Sequence, residues 1–248
     1  MKKLIKPNLL LPFLLSVLIS LSVQAQNGMY YDADHNFLIP MTENNELKGY
    51  ANVYLFDKLS KDSNAYIIEA YDELLRDIGE KKIVISSNFT FHSAIYNGKN
   101  YVVKFVHENK ELKYMVFDHE AKQLFDTTFS IHIKQIDKNP PEWEMNYTPM
   151  QNVANIGVAD YVWVQDGKYA KPTLIFLSDD NKIWQYTFES KNPQYNAIYI
   201  GSDANTIVNV CYEFTTNKSK TQIQTRVVTL NTQGGLLADS RLNTNDSI

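Results

Sequence analysis

Short runs rich in valine, isoleucine, phenylalanine, tyrosine and threonine recur along the chain, and clusters of polar residues separate them. The 16 tyrosines and 12 phenylalanines suit the half-buried surface of a pleated sheet better than a helix. Three of the separating clusters, Asn97-Gly98, Asp166-Gly167 and Gly234-Gly235, offer residues that accept positive φ in a tight turn. The strand candidates are residues 51–56, 65–71, 101–107, 112–118, 160–165, 173–178, 183–188, 206–214 and 221–230. The pattern predicts an all-β protein.

An internal repeat lies on top of this alternation. Four times, a strand ends in an acidic, amide or hydroxyl residue, and a polar turn leads into another apolar strand. The residues at these points are Asp72, Asp118, Ser178 and Asn231, which lie 46, 60 and 53 residues apart. One or two further strands precede each point, so each repeat holds about three or four strands, the size of a propeller blade. We therefore predict a propeller-like array of about four degenerate blades over residues 49–248.

Two segments interrupt the repeat. Three of the eight prolines fall between residues 137 and 149, and Pro140-Pro141 removes two backbone donors and fixes φ. We therefore predict an inserted loop at 137–155. Residues 72–78 begin with an acid and precede a glycine, as a short helix would. We interpret them as a turn and a strand instead, because the equivalent segments resemble hairpins.

The patterning of strand faces favours packed blades. In the run 101–107, Tyr101, Val103 and Phe105 alternate with two valines and Lys104, so both faces are mostly apolar. Such strands need cover on both sides, which neighbouring blades provide. A β-sandwich with a partly covered outer face is the alternative. If the array closes, an N-terminal strand at 50–56 would have to complete the fourth blade; otherwise the array is incomplete and has an exposed blade edge.

A family resemblance rests on the same repeat. The pattern is an aromatic and apolar strand that ends in aspartate, then a polar turn and a Leu-Phe or Leu-Leu strand. It resembles secreted bacterial families of unknown function with propeller-like repeats, over roughly residues 49–242. Neither a repeated Trp-Asp dipeptide nor a repeated double glycine accompanies it. The resemblance therefore implies a type of fold and no functional residues.

The N-terminus predicts export. Lys2, Lys3 and Lys6 precede an almost wholly apolar segment of 15 residues, and Val23-Gln24-Ala25 supplies small residues at the cleavage positions. A membrane anchor is the alternative, but the segment is shorter than the roughly 20 residues that a spanning helix needs. Cleavage after Ala25 would remove residues 1–25, and the absence of a nearby cysteine argues against a lipid anchor. We interpret residues 26–48 as a linker or a first strand.

The charge excludes some classes of partner. The formal net charge is −4, and removal of the three lysines of the signal segment would leave it at −7. A chain of this sign has no electrostatic footprint for nucleic acid or anionic lipid. No later apolar run is long enough to span a membrane. We therefore expect a secreted or periplasmic protein.

No motif for catalysis or metal binding emerges. The histidines, His35, His92, His107, His119 and His132, are scattered without metal-ligand spacing, although His107 and His119 flank one hairpin and could meet. The segment Asp32-Ala-Asp34-His-Asn36 begins like a calcium loop with Glu43 at its twelfth position, but phenylalanine stands where glycine is needed. We interpret it as a polar linker and predict no metal and no cofactor. The single cysteine, Cys211, lies in a strand-like run and is predicted to be a buried apolar residue.

Aromatic residues of the predicted insert are the nearest approach to a recognition site. Trp143 and Tyr147 could stack on a sugar or anchor a peptide, unless Trp143 folds back and is buried. Trp163 and Trp184 lie in strand patterns and are predicted core residues. The leading functional hypothesis is an exported, non-catalytic binding module for a glycan or a protein. The alternatives are a hydrolase of glycans or peptides on a propeller scaffold, and a fragment of a longer repeat protein without activity.

Overall fold

The chain folds into β-strands joined by short turns. The computed structural model describes residues 37–43, 46–107, 111–131, 150–153, 156–166, 169–180, 182–189, 195–203, 205–217 and 220–242. Within these ranges there are sixteen strands and no helix, which confirms the all-β prediction. None of the described ranges therefore contains a helix that could cross a membrane.

Each group of four consecutive strands forms one antiparallel sheet, so the structure has four sheets of four strands. The first sheet consists of β1 (Phe37–Glu43), β2 (Glu46–Ser60), β3 (Ser63–Asp72) and β4 (Asp77–Ser86). The second consists of β5 (Thr90–Tyr96), β6 (Tyr101–His107), β7 (Glu111–Phe117) and β8 (Gln123–Ser130). The third consists of β9 (Gln151–Val153), β10 (Gly157–Asp166), β11 (Tyr169–Ser178) and β12 (Ile183–Thr187). The fourth consists of β13 (Tyr195–Ser202), β14 (Thr206–Asn217), β15 (Lys220–Asn231) and β16 (Leu236–Leu242).

The repeat found in the sequence is present as one recurring turn between the third and fourth strands of every sheet. The turns start at Asp72, Asp118, Ser178 and Asn231. In each, the backbone N–H of that residue donates to the carbonyl four residues later, at 2.8–3.0 Å. The side-chain oxygen of the same residue accepts the N–H four residues later, at 2.7–3.0 Å. The predicted equivalence of these four residues is confirmed, and residues 72–78 form a turn and the start of β4, not a helix.

The sheets stack in chain order, and a buried apolar cluster fills each of three interfaces. One cluster joins the first and second sheets, another joins the second and third, and another joins the third and fourth. Among the described residues, no such cluster joins the fourth sheet to the first. In the second sheet, residues 101–105 are all buried, because alternate side chains face the sheets on either side. The prediction that these strands are covered on both faces is confirmed.

The structure differs from two expectations about individual strands, and residues 137–149 of the second lie outside the described ranges. Residues 50–56 do not complete the fourth sheet; they lie in β2 and pair with β1 and β3. Only two residues separate β2 from β3, and closing so short a hairpin costs little chain entropy compared with a distant pairing. The predicted insert 137–155 contains β9, which pairs with β10, and buried Met150 precedes it. A strand of three residues is too short to show an alternating pattern.

The predicted core residues are buried to different extents. Cys211 is fully buried in β14, as predicted, and packs in the cluster between the third and fourth sheets. Trp163 and Trp184 are only half-buried. The Trp184 ring stacks on Phe176 with 4.9 Å between centroids, and its indole N–H donates to the Thr232 carbonyl at 2.9 Å. Trp184 therefore covers the edge of that core from one side.

Candidate functional site

The described residues do not include most of the predicted site. Trp143, Tyr147 and the segment 32–36 lie outside the described ranges. Glu43 ends β1 and is exposed. His107 and His119 do not meet, because they lie at opposite ends of β7, which separates them by about 20 Å at the usual rise of a strand. Within the described ranges, no three histidine, cysteine or acidic residues lie close enough together to hold a metal ion.

A buried polar cluster lies between the second and third sheets. The Lys104 ammonium on β6 lies 2.7 Å from the Asp160 carboxylate on β10, and neither side chain is exposed. The Tyr114 hydroxyl on β7 donates to the same carboxylate at 2.5 Å. Burial, and then the charge of Asp160, raise the pKa of the Tyr114 hydroxyl well above its usual value. Lysine, aspartate and tyrosine occur together in many active sites, but these three are enclosed by apolar side chains and hold two sheets together.

His92 lies beside this cluster and gives a prediction about acid stability. Burial, and then the charge of Lys104, lower the pKa of the His92 imidazole to about 3. The unfolded chain binds a proton there near pH 6.5 and the folded chain does not, so the free energy of unfolding falls as the pH falls from 6.5 towards 3. We expect His92→Gln to reduce this slope between pH 6.5 and 4.5 by at most about 1.4 kcal/mol per pH unit. Denaturant unfolding at a series of pH values measures it.

The matched control for that measurement is His119→Gln. The His119 side chain is 64% exposed and lies 3.8 Å from Glu120. Its variant should keep the slope of the parent chain. An unchanged slope in His92→Gln would show that the folded chain protonates His92 as readily as the unfolded chain does.

A shallow groove of about 440 Å³ lies between β4 and the edge of the second sheet. Its polar lining is already paired: Glu111 lies 3.2 Å from His107, and Lys113 pairs with Asp126. The remaining lining is mainly Val84, Phe89 and small hydroxyl residues. Nothing in this lining points to a particular ligand.

The outer face of the first sheet differs from both of these places. Alternate residues of β2 and β3 face away from the second sheet, and they include Tyr50, Asn52, Tyr54, Glu69 and Tyr71, which we name the tyrosine face. Tyr50 pairs with Tyr71 across the two strands, and Asn52 pairs with Glu69. All five side chains are half-buried, and they form a layer of rings and polar groups on a rigid sheet.

Glu69 organises the tyrosine face. Its carboxylate accepts hydrogen bonds from the Tyr71 hydroxyl at 2.6 Å, the Tyr54 hydroxyl at 2.9 Å and the Asn52 amide at 3.2 Å. Burial acts to raise the pKa of the Glu69 carboxyl, but the three hydrogen bonds outweigh burial and lower it. The pKa of each tyrosine is raised to about 12, mainly by burial at Tyr54 and by the hydrogen bond to Glu69 at Tyr71. At neutral pH the carboxylate is therefore ionised and both hydroxyls keep their protons.

Exposed apolar side chains surround the tyrosine face. Leu38, on β1 opposite Asn52, is 51% exposed, and Val84, on β4, is 60% exposed. Phe56 is 54% exposed, and the Lys82 ammonium lies 4.8 Å from its ring centroid. The rings and apolar residues together can bury area against a partner, and the amide and hydroxyls can orient that partner.

The sequence contained a signal for this face that motif searches do not detect. Tyr50, Asn52 and Tyr54 recur at the period of two that places side chains on one face of a strand. Glu69 and Tyr71 show the same period just before the turn at Asp72. Alignment of the four repeats on that turn would have placed both sets on one sheet.

Together, these features define an all-β repeat protein, in which four-stranded antiparallel sheets stack through apolar interfaces. A family model described as a family of unknown function, DUF6770, matches residues 5–241, and the chain belongs to that family. No curated protein and no solved structure matches the chain.

Proposed function

We propose that the protein is an exported, non-catalytic interaction module that binds another protein through the tyrosine face. The observation that carries the proposal is the Glu69 carboxylate, which holds Tyr54 and Tyr71 on a sheet face that no neighbouring sheet covers among the described residues. Tyrosine is enriched in interfaces because it buries a large ring at low entropic cost and keeps one polar group. The only carboxylate of the tyrosine face is already satisfied by three hydrogen bonds, so a partner need not neutralise it.

The four sheets support a propeller-like arrangement of blades in this proposal. Each sheet is an up-and-down meander, and the first strands of the first three sheets adjoin one another, β1 beside β5 and β5 beside β9. First strands line the central axis when blades are arranged radially. Export is supported by the predicted signal segment, residues 1–25, with cleavage after Ala25.

A protein partner fits the tyrosine face better than a glycan does. The five side chains lie in one layer on two adjacent strands, whereas small-molecule sites are commonly concave, and the exposed residues beside them include the apolar Leu38, Phe56 and Val84. Trp143 and Tyr147 remain predicted contacts for a glycan or a peptide. Binding that depends on those two residues would be separate from binding at the tyrosine face.

The proposal is tested by thermal unfolding of residues 26–248 alone and with a panel of oligosaccharides, peptides, purified exported proteins and calcium. A ligand that binds only the folded chain raises the unfolding midpoint. At a ligand concentration of 100 times its dissociation constant, the free energy of unfolding rises by about 2.7 kcal/mol. We expect a protein or peptide to raise the midpoint of the parent chain. The double variant Tyr54→Ala, Tyr71→Ala should lose at least tenfold in affinity for it.

Leu124→Ala is the matched control, because Leu124 is 38% exposed on β8, away from the tyrosine face. This control variant should respond to the same ligand as the parent chain. A response that survives in the double variant would place the binding site elsewhere. A response to oligosaccharides alone would replace the protein partner by a glycan.

A further inference from the structure

One pair of positions recurs at the interfaces between neighbouring sheets. The second strand of three sheets has a residue paired with the first residue of the recurring turn, and these residues are Gly49, Gly157 and Thr206. In the second sheet the equivalent residue is Asn100, just before Tyr101, which pairs with the residue that precedes the turn. Wherever a neighbouring sheet is described, the third residue after each of them faces the preceding sheet and the fourth faces the following sheet. We name these two positions the backward and the forward position.

The forward residue of one sheet meets the backward residue of the next. Between the second and third sheets, forward Lys104 lies 2.7 Å from backward Asp160. Between the third and fourth sheets, the hydroxyl of forward Tyr161 donates to the side-chain oxygen of backward Asn209. Between the first and second sheets, the two residues are valines, Val53 and Val103, in one apolar cluster. A single stacking geometry therefore accommodates an ion pair, a hydrogen bond or an apolar contact.

One backward and one forward position lack a counterpart among the described residues. They are Asn52 in the first sheet, on the tyrosine face, and Val210 in the fourth. The Asn52 side-chain oxygen is buried and has no hydrogen-bond partner. At the two equivalent polar positions, Asp160 and Asn209, a side chain of the preceding sheet donates a hydrogen bond. Asn52 is thus equivalent to residues that a preceding sheet covers.

The outer face of the fourth sheet has the composition of a covered face. Its residues on β14 and β15 are Val208, Val210, Tyr212, Thr225, Val227 and Thr229, which we name the valine face. None of these six is charged, whereas the water-facing side of an antiparallel sheet is normally polar. The hydroxyls of Tyr212, Thr225 and Thr229 are potential donors for an acceptor such as the Asn52 oxygen.

We infer that the valine face of one copy packs on the tyrosine face of a second copy, head to tail. The inference rests on the proposed function, because it uses the same face, and it names the partner as this chain itself. Such an interface joins two different surfaces, so it forms either closed rings or open filaments. Propellers close with four to eight blades. One copy supplies four sheets, but among the described residues no apolar cluster joins its fourth sheet to its first. Two copies supply eight sheets and three would supply twelve, so a dimer with two identical interfaces is expected.

The size of the two faces sets the expected affinity. A sheet face four strands wide and seven residues long measures about 19 Å by about 23 Å. One such contact is at the low end of specific interfaces, and a two-copy ring contains two of them. We therefore expect a dissociation constant in the micromolar range, about 1–50 µM. Sedimentation velocity with residues 26–248 between about 1 and 200 µM covers this range.

The test uses one variant for each face. Thr229→Glu places a charge on the valine face, and the double variant Tyr54→Ala, Tyr71→Ala removes two rings from the tyrosine face. Each should be monomeric at concentrations at which the parent chain is a dimer, with a loss of at least tenfold in affinity. A mixture of the two keeps one of the two interfaces intact, so it should dimerise more strongly than either variant alone and more weakly than the parent chain. If each interface joined two identical faces, mixing the two variants would not restore dimerisation.

Three results would overturn the inference. One is a parent chain that stays monomeric throughout the range, and another is dimerisation that neither variant weakens. The third is a mixture that stays as monomeric as the separate variants. In each case, the proposed function would stand if a ligand of the thermal-unfolding panel still needed Tyr54 and Tyr71 for binding. The partner would then be another protein and not a second copy of this chain. Near-ultraviolet circular dichroism of each variant verifies its fold, and Val208→Glu replaces Thr229→Glu if that variant does not fold.

Discussion

Asp160→Ala is expected to lower the free energy of unfolding by about 3–5 kcal/mol. The substitution leaves the Lys104 ammonium in a fully buried site without its counter-charge, 2.7 Å from where the carboxylate was. It also removes the acceptor of the buried Tyr114 hydroxyl. A buried group that loses a hydrogen-bond or ion-pair partner loses that interaction and cannot replace it with water. Denaturant unfolding of the parent chain and the variant at pH 7 measures the difference.

The matched control removes the whole polar cluster. The triple variant Lys104→Met, Asp160→Leu, Tyr114→Phe removes the buried ion pair and the Tyr114 hydroxyl together. Replacement of a buried ion pair by apolar residues of similar volume is commonly neutral or stabilising by about 1–4 kcal/mol. The triple variant should therefore unfold at a higher denaturant concentration than Asp160→Ala. If the triple variant were as unstable as Asp160→Ala, the cost would come from shape and not from the unpaired charge.

The sequence specified the repeat better than it specified the partners of each strand. The turns at Asp72 and Asp118 could be predicted because one short polar side chain accepts the N–H four residues later, and this requirement is local. The position of residues 50–56 could not be predicted, because a strand with one apolar face fits several sheets equally well. The pairing of Lys104 with Asp160 joins residues 56 positions apart, and no periodicity connects them. The order in which the sheets stack determines which side chains of different sheets meet.

The candidate site shows the same limit. Motif searches look for residue types that perform chemistry, so they singled out Trp143, Tyr147 and the histidines. The tyrosine face is built from ordinary strand residues, and it is distinctive only because no neighbouring sheet covers it among the described residues. An alternating pattern shows which side chains share a face. Only the order of the sheets shows which face is left open.

Phe105→Ala is expected to destabilise the chain by about 3–5 kcal/mol, the usual cost of truncating a buried phenylalanine. The Phe105 ring is fully buried between the first and second sheets. It packs edge-on against Tyr66 of the first sheet, with 5.0 Å between centroids, and against Phe91 of the second, at 6.0 Å. The substitution removes both ring contacts and leaves a cavity between the two sheets. Denaturant unfolding measures the cost, with Leu124→Ala as the exposed control.

The same variant shows how far instability spreads along the stack. The described sheets join through separate apolar clusters in chain order, so each sheet packs mainly on its neighbours. In such arrays, stability is close to a sum of repeat and nearest-neighbour contributions. Phe105→Ala should therefore speed hydrogen exchange most in β2, β3, β6 and β7, and least in β14 and β15. Equal acceleration in all four sheets would instead show that the stack opens as one cooperative unit, in which loss of one interface releases every other.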